Sequence, residues 1–292
     1  MRRWQADLAL VGVTLIWGST FVVVKGALAT VGPLEFVTAR FAVAGLVLLA
    51  VWWWRRERAT SGVWREGALT GSFLALGYLT QTVGLRTTAA GKAAFITGLS
   101  VVLVPLGAAL WLRELPTWST ALGGALATTG LGLLTLDQGL RLATGDLWVL
   151  VCAFGFALHI LATGHFAPRH AVLPFTVAQL VTVTLLSAAA TWLFEGFSVV
   201  ALQSSWRTIF YMGVVATALI FGTQTWGQRH TTSTHTALIF ALEPVFAALF
   251  AALFAGEVIT LREGVGGVLI LLGMVSAEVR ATWWGRPVSC EN

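Results

Sequence analysis

The sequence predicts an all-α integral membrane protein with ten transmembrane helices in two inverted five-helix repeats. Two observations carry this prediction. Hydrophobic residues make up 57% of the 292 positions and charged residues only 11%, against about 25% charged in a typical soluble domain. In addition, Tyr78–Gly130 aligns with Phe221–Gly273 without a gap, at an offset of 143 residues. The chain therefore needs lipid around it, and it contains a duplicated unit.

Polar residues decide whether the repeat is genuine, because apolar residues match by chance in a chain of this composition. The aligned polar and glycine pairs are Thr80/Thr223, Gln81/Gln224, Thr82/Thr225, Arg86/Arg229, Thr88/Thr231, Glu114/Glu257, Thr117/Thr260, Gly84/Gly227, Gly123/Gly266, Gly124/Gly267 and Gly130/Gly273. A duplicated bundle of membrane helices is typical of secondary transporters, whose substrate site lies at the repeat interface.

Each predicted span is a run of about 20 mostly apolar residues, the length that crosses a bilayer. In chain order the spans are Ala6–Leu28, Leu34–Trp53, Gly67–Leu85, Gly91–Leu112, Trp118–Leu136, Asp146–Phe166, Leu173–Phe194, Ser205–Gln228, Ser233–Ala255 and Leu261–Val279. The apolar run Leu8–Val24 exceeds the roughly 7–15-residue core of a signal peptide, so we interpret it as a span. Residues 1–138 form the first predicted repeat and residues 139–292 the second, with no soluble domain.

Charge in the loops predicts the orientation. Ten spans put both termini on one side, and eleven Lys and Arg residues fall on that side against six on the other. Positively charged loops are retained in the cytoplasm, so both termini are predicted to be cytoplasmic, in the cell (inner or plasma) membrane. The repeat offset covers five helices, an odd number, so equivalent helices cross in opposite directions. The first two spans align more weakly at an offset of 139, which places Trp17 on Phe156, Thr20 on His159 and Arg40 on Gln179.

The ninth span carries a candidate functional carboxylate. Thr236, Phe240 and Glu243 are spaced four and three residues apart, so they share a helix face. Glu243 lies near mid-span directly before Pro244, where the helical hydrogen-bond ladder is expected to break. A carboxylate at this depth is a functional-site hypothesis by default. The alternative is a structural Glu243 paired with a donor such as Gln224 or His159.

The equivalent face of the fourth span is formed by Ala93, Thr97 and Ser100, which also predicts a bundle-facing surface. His159 lies midway along the sixth span and shares a face with Cys152, Phe156 and Thr163. It is either a hydrogen-bonded core residue or a titratable group that works with Glu243 in a proton relay. Lys92 and its equivalent His235 lie near span ends, where snorkelling to the membrane border is expected.

Four further residues have both structural and functional interpretations. Trp17 is deep in the first span beside Gly18, Ser19 and Thr20, and would either stack on a flat or cationic substrate or pack in the core. Gln81 and Gln224 recur in a shared Thr-Gln-Thr-x-Gly-x-Arg motif, which favours interhelical support. Arg40 would snorkel, pair across the bundle or meet an anionic substrate group, and a structural role is favoured.

Several function classes are excluded. Five His, two Cys and three Met are too few and too scattered for a metal site. The Arg residues lie at segment ends and not in one patch, which argues against nucleic-acid binding despite the net charge of +5. No phosphate loop, nucleophile elbow or dinucleotide fingerprint occurs, so no enzyme and no cofactor are predicted. The predicted partners are a small-molecule substrate, lipid and a coupling proton, and a homodimer is left open.

These residues resemble a known family across essentially the whole chain. Ten spans in two halves look like EamA-type members of the drug/metabolite transporter superfamily. The matching segments are Leu15–Ser19, Arg40, Lys92–Thr97 through Pro105, and Ala241–Phe246 through Gly256-Glu257. The first half differs from the family pattern in that it has Arg113-Glu114 and a proline displaced to Pro105.

The resemblance implies transport of small organic solutes through a central cavity without an ATP site. We therefore predict a secondary transporter, working as an exporter by alternating access. The predicted cavity residues are Trp17, Thr20, Thr97, Ser100, His159, Phe240 and Glu243, with Gln81, Gln224 and Arg40 in support. One acidic and one titratable group among neutral polar ones suit amino-acid-like, zwitterionic or weakly cationic solutes better than sugar phosphates. The alternatives are a passive channel or facilitator, and a non-transporting membrane scaffold.

Overall fold

A computed structural model of the chain describes residues 3–88, 90–112, 117–135, 143–254 and 260–283. These residues form helices joined by short turns, and no β-strand occurs among them. Helices suit an apolar chain in lipid, because each helix satisfies its own backbone N–H and C=O groups. The predicted all-α class is therefore confirmed.

In the first half, the helices begin and end close to the predicted spans. They are α1 (Arg3–Gly18), α2 (Thr20–Ala27), α3 (Pro33–Arg55), α4 (Val63–Gly84), α5 (Ala90–Gly98), α6 (Ser100–Gly107) and α7 (Trp118–Thr135). A π-helical segment, Ala108–Leu112, continues α6. The first and fourth predicted spans are thus each built from more than one helical piece.

The second half follows the same order with one additional short helix. Its helices are α8 (Thr144–Phe166), α9 (Val172–Phe194), α10 (Val199–Ser204), α11 (Trp206–Gly213), α12 (Ile220–Gln228), α13 (Ser233–Phe240), α14 (Glu243–Phe254) and α15 (Leu261–Trp283). A π-helical segment, Val214–Leu219, joins α11 to α12, and a 3₁₀ turn, Ala167–Arg169, follows α8.

Six helical segments within the described residues are long and apolar enough to cross a membrane. They are Pro33–Arg55, Lys92–Trp111, Thr144–Arg169, Val172–Phe194, Trp206–Gln228 and Ser233–Phe250. The other four predicted spans are helical as well but are not among these six. Large apolar side chains such as Leu46, Trp53, Leu110 and Leu253 are exposed on the outer surface, as expected for contact with lipid.

Two helix breaks occur at equivalent positions. α5 and α6 are separated at Leu99, and α13 and α14 at Ala241–Leu242, so Leu99 and Leu242 differ by the repeat offset of 143. In the second half, Pro244 has no N–H to donate to the carbonyl four residues earlier, which explains that break. The first half breaks without a proline at this position, and Pro105 lies inside α6. Both halves therefore break at equivalent positions although their prolines lie at different distances from the break.

α7 and α15 pack antiparallel through glycines. A Cβ at Gly130 would collide with the Gly266 carbonyl, and a Cβ at Gly273 would collide with the Gly123 carbonyl. The two contacts exchange under the repeat alignment, which pairs Gly123 with Gly266 and Gly130 with Gly273. Small residues at these positions allow the two backbones to approach closely without lipid between them.

α3 and α9 also lie antiparallel, and acidic side chains beyond the end of each helix cap the start of the other. Glu195 Oε2 accepts hydrogen bonds from the backbone N–H groups of Leu34, at 3.0 Å, and Glu35, at 3.1 Å. At the opposite end, Glu57 Oε2 accepts one from the N–H of Leu173 at 3.3 Å. Carboxylates stabilise helix N-termini, where N–H groups lack helical partners. The caps fix the helices that carry Arg40 and Gln179.

Candidate functional site

A central cavity of about 910 Å³, counting the part that opens toward solvent, lies between helices from both halves. The space inside it that a water-sized molecule can occupy is about 80 Å³, less than the roughly 300–1,000 Å³ of small-molecule sites, so a ligand would require the cavity to widen. Each of the ten residues that the sequence singles out contributes to its wall. They are Trp17, Thr20, Arg40, Gln81, Thr97, Ser100, His159, Gln224, Phe240 and Glu243. The structure thus brings together residues that are up to 226 positions apart, from Trp17 to Glu243.

The cavity wall is built from equivalent positions of the two halves. Six pairs of wall residues coincide under the two sequence offsets, 139 for the first two pairs and 143 for the others. They are Trp17/Phe156, Thr20/His159, Tyr78/Phe221, Gln81/Gln224, Thr97/Phe240 and Ser100/Glu243. Each half therefore supplies the same helix faces, while the residue types differ between most partners.

Aromatic rings form much of the wall. The Trp17 ring centroid lies 5.2 Å from that of Phe240 and 5.8 Å from that of Phe221, both edge-on. Tyr78 makes similar contacts with Phe156 at 5.1 Å and Phe221 at 6.0 Å. Tyr78 and Phe221 were not predicted as site residues. Their signal was present as the first aligned pair of the repeat, an aromatic residue in both copies.

Arg40 lies in the wall but is held by the second half of the chain. Its side chain is buried, with Nε donating to Thr217 Oγ1 at 2.6 Å and Nη2 donating to the Ala216 carbonyl at 2.9 Å. The guanidinium carbon also lies 4.9 Å from the ring centroid of Tyr78. These contacts agree with the favoured structural role, and they leave the charge at the edge of the cavity.

His159 is oriented by α9. Gln179 donates from Nε2 to the Phe175 carbonyl at 3.4 Å, so its Oε1 accepts from His159 Nε2 at 2.9 Å. Thr163 Oγ1 lies 3.3 Å from the same ring nitrogen. Gln179 is the sequence equivalent of Arg40, and both residues fix a polar group at the cavity wall. His159 therefore has described partners other than Glu243, although both line one cavity.

Glu243 is the first residue of α14, directly after the helix break. A carboxylate at a helix N-terminus faces backbone N–H groups and the positive end of the helix dipole. Glu243 also lies close enough to Arg40 and Tyr78 to interact with both electrostatically. If the role of Glu243 were structural, as the alternative hypothesis proposes, Gln224 or His159 would be its hydrogen-bond partner. In the described residues Gln224 donates to Gln228 and His159 to Gln179.

The two glutamines of the repeated Thr-Gln-Thr-x-Gly-x-Arg motif differ in their surroundings. Gln81 Nε2 donates to Thr97 Oγ1 at 3.3 Å, across the cavity wall. Gln224 Nε2 donates to Gln228 Oε1 at 2.9 Å, within one helix. Thr236, which was predicted on the same face as Phe240, is fully buried and does not reach the cavity.

Lys92 and His235, which were predicted to snorkel to the membrane border, each lie beside a carboxylate of another helix. Lys92 Nζ lies 2.5 Å from Asp146 Oδ2, and the Asp146 side chain is 3% exposed. His235 Nε2 lies 3.3 Å from Asp7 Oδ1.

The described residues contain no group of three or more His, Cys, Asp or Glu side chains that could hold a metal ion. What the cavity offers to a ligand is an aromatic wall, neutral polar groups, one cation and one carboxylate. Such a wall can bind and orient a small organic molecule.

Comparison with known proteins places the chain in a family. The sequence pattern of the EamA-like transporter family matches residues 4–136 and, a second time, residues 143–277. A protein of Archaeoglobus fulgidus named "Uncharacterized transporter" is 34% identical over 284 residues, which cover 96% of this chain and 88% of that protein. A protein of Streptantibioticus cattleyicolor named "Probable terminal-alkyne amino-acid exporter" is 26% identical over 99% of this chain and 98% of its own length.

The fold also matches a solved structure. One protein crystal structure superimposes with a TM-score of 0.80, at 20% sequence identity, over 97% of this chain and 98% of the other. At this identity the match supports the fold alone. The family match covers most of the chain in two copies, and its relatives are transporters and not enzymes. The chain is therefore a multi-pass membrane protein of the EamA-like transporter family.

Proposed function

We propose that the protein is a secondary transporter that exports amino-acid-like, zwitterionic or weakly cationic solutes by alternating access. The observation that carries this proposal is the central cavity whose wall is made of equivalent residues from the two halves. Secondary transporters bind their substrates at such repeat interfaces, near the middle of the membrane. A non-transporting scaffold would not require a cavity with polar groups in its wall.

The proposed architecture is ten spans in two inverted repeats, residues 1–138 and 139–292. The reciprocal glycine contacts of α7 and α15 support it, because equivalent helices of inverted repeats run antiparallel. The equivalent breaks at Leu99 and Leu242 support it as well. The excess of Lys and Arg on one side supports cytoplasmic termini and insertion in the cell membrane.

The substrate class follows from the charges at the wall. Arg40 offers a positive group and Glu243 a negative one, and aromatic rings occupy the space beside them. A zwitterion with an apolar side chain complements all three features. The name of the Streptantibioticus cattleyicolor relative supports an amino-acid-like solute and the export direction.

We assign coupling to Glu243. Burial disfavours a charged carboxylate, so this group exchanges a proton more readily when the cavity opens and water reaches it. Protonation and cavity opening would then be linked. His159 is the second titratable residue of the wall, and a proton relay between the two is part of the proposal.

The test is an unbiased metabolite screen of cells with and without the protein, in which both cells and medium are measured. A solute depleted from the cells and enriched in the medium identifies substrate and direction together. The solute is then loaded into proteoliposomes with an imposed proton gradient. Flux that does not change when the gradient is dissipated would favour a passive facilitator, and no flux of any solute would favour a scaffold.

Orientation has its own test. An enzyme reporter that is active only outside the cytoplasm is fused after Asn292. We expect no reporter activity in intact cells, and strong activity would reverse the proposed orientation.

A further inference from the structure

Two polar atoms of the cavity residues have no hydrogen-bond partner among the described residues. They are Oε1 of Gln224, a residue that is 1% exposed, and the indole Nε1 of Trp17. Buried polar atoms in folded proteins almost always have a partner, and exceptions need an explanation. Both residues line the central cavity, so a bound molecule is the natural source of the missing partners.

The orientation of the Gln224 amide follows from a relay of hydrogen bonds. Gln228 Nε2 donates to the Ile160 carbonyl at 2.9 Å, and a carbonyl can only accept. Gln228 Oε1 therefore points the other way and accepts from Gln224 Nε2 at 2.9 Å. Rotating the Gln224 amide would bring two oxygens together. The relay thus presents Gln224 to the cavity as an acceptor.

Trp17 presents the complementary group. Its indole N–H can only donate, and its ring is held edge-on between Phe221 and Phe240. Phe221 and Gln224 are three residues apart on α12, so they lie on one helix face. The donor of Trp17 and the acceptor of Gln224 are therefore on facing sides of the α1–α12 contact.

We propose that Gln224 and Trp17 are specificity-determining residues, which require a ligand with an N–H donor and an oxygen acceptor. Gln228 is a positioning residue that fixes the Gln224 amide. The ligand class is a primary amine or ammonium compound that also carries a carboxylate or carbonyl. This inference rests on the proposed function and adds which atoms of the protein recognise the solute.

The test compares L-leucine, L-threonine and L-phenylalanine with their N,N,N-trimethyl betaines, which keep the carboxylate and the positive charge but have no N–H. Binding to the purified protein is measured by thermal shift and by competition between each amino acid and its betaine. We expect wild type to prefer at least one amino acid over its betaine by about 10- to 100-fold. Gln224→Leu should bind both forms about equally, and Trp17→Phe should keep the preference while weakening both.

The variant Gln228→Leu tests whether Gln228 positions the Gln224 amide. It leaves the Gln224 side chain in place but lets its amide rotate, so the preference should fall while maximal flux is kept. Equal binding of amino acid and betaine by wild type would overturn the assignment and leave the transport proposal standing. An unchanged preference in Gln224→Leu would overturn it too. Binding of neither form, together with no flux, would overturn both proposals.

A different observation carries a second inference. The acid–base pairs Lys92–Asp146 and Asp7–His235 are equivalent under the sequence repeat, and the second is an ion pair when His235 is protonated. The offset of 143 places Lys92 on His235, and the offset of 139 places Asp7 on Asp146. Each pair joins a residue near the start of the first helix of one half to a residue on the fourth predicted span of the other half.

The two pairs lie at opposite ends of the helix bundle. Asp146 is in the first turn of α8, which has 23 residues and is therefore about 34 Å long. Ser233, two residues before His235, donates to the Ile160 carbonyl near the other end of α8. Leu10 of α1, close to Asp7, packs where a Gly227 Cβ would lie, beside Gln228 and Ile160.

We propose that Lys92–Asp146 and Asp7–His235 are the two gates of alternating access, one at each face of the membrane. Both pairs connect the halves, and both are formed in this structure. Opening the cavity at one face separates the halves there and requires that pair to break. Breaking a pair by mutation should therefore bias the protein toward opening at that face.

A cysteine reporter tests this. Ala94→Cys places a thiol in the cavity wall, in a background with Cys152→Ala and Cys290→Ser. Labelling by a membrane-impermeant maleimide is measured in right-side-out and inside-out vesicles. Lys92→Met should raise labelling severalfold from the Asp146 face and lower it from the other. Asp7→Asn should do the reverse.

The control is Arg86→Met, which removes an exposed cation near the Asp146 face and should change neither rate. The exchanged pair Lys92→Asp with Asp146→Lys should return labelling toward that of the reporter alone, which separates gating from misfolding. Labelling that shifts in the same direction for Lys92→Met and Asp7→Asn would overturn the inference. So would equal labelling of Lys92→Met and Arg86→Met from both faces.

Discussion

Arg40 donates from Nε to Thr217 Oγ1 at 2.6 Å, and this bond ties the first half of the chain to a π-helical segment of the second. Thr217 Oγ1 in turn donates to the Met212 carbonyl at 2.7 Å, a side-chain bond from the π-helical segment back to α11. Widened turns of this kind leave backbone groups that side chains can use, and they recur at functional sites. The position of the cavity's cation therefore depends on the local shape of a helix in the other half.

Thr217→Val tests this dependence. The substitution keeps the shape of the side chain but leaves the charged Nε of Arg40 without its acceptor, at a cost of about 1.5–3 kcal/mol in free energy of unfolding. We expect a lower midpoint of thermal unfolding in detergent. The double variant Arg40→Met with Thr217→Val should lose less free energy of unfolding than the sum of the two single variants, because it has no buried Arg40 charge without an acceptor. Additive losses would show that the two side chains act independently.

The glycine contact between α7 and α15 makes a prediction with a control on the same helix. Gly130→Ala places a methyl group against the Gly266 backbone, so the helices must separate, and we expect lower stability and lower membrane abundance. At Gly124 an added Cβ meets nothing nearer than 4.0 Å. Gly124→Ala should be neutral or stabilising by up to about 1 kcal/mol, because alanine favours the helix. Equal effects of the two substitutions would contradict the packing described.

Trp17 and Phe240 are predicted to contact the transported solute. Replacing either with alanine removes an aromatic contact worth about 0.5–1.5 kcal/mol, so the KM for transport should rise by up to about tenfold. Phe154, on the lipid-exposed side of α8, is the matched control, and Phe154→Ala should leave KM unchanged. Transport is measured at equal membrane abundance with the solute identified by the metabolite screen. An unchanged KM for both cavity variants would show that the two rings pack against other side chains and do not contact the solute.

Much of the candidate site could be predicted from sequence because membrane burial makes polar residues conspicuous. Glu243, His159, Arg40 and the paired glutamines stand out in apolar spans, and all of them line the cavity. Tyr78 and Phe221 were not predicted as site residues, because aromatic residues are not conspicuous in an apolar chain. Apolar and aromatic matches are common by chance in such a chain, so their recurrence at the start of the repeat carried little weight.

Local sequence also underdetermines the helix breaks and the ion pairs. The break near Leu242 has a local cause in Pro244, whereas the break at Leu99 has no proline at the equivalent position, which is Val101. The π-helical turn at Val214–Leu219 accepts a hydrogen bond at the Ala216 carbonyl from Arg40 of the other half. The contact between Lys92 and Asp146 joins residues 54 positions apart in sequence. Contacts of this kind become visible only when the helices are packed.

Substituting Glu243 tests the central claim most directly. Glu243→Gln keeps the shape and hydrogen-bonding ability of the side chain but fixes it in a neutral form. The variant and wild type are reconstituted at equal abundance in proteoliposomes with the solute that the screen identifies. Its accumulation under an imposed proton gradient and its exchange without a gradient are then measured. We predict that Glu243→Gln retains exchange but loses gradient-driven accumulation, and full accumulation by this variant would contradict the account.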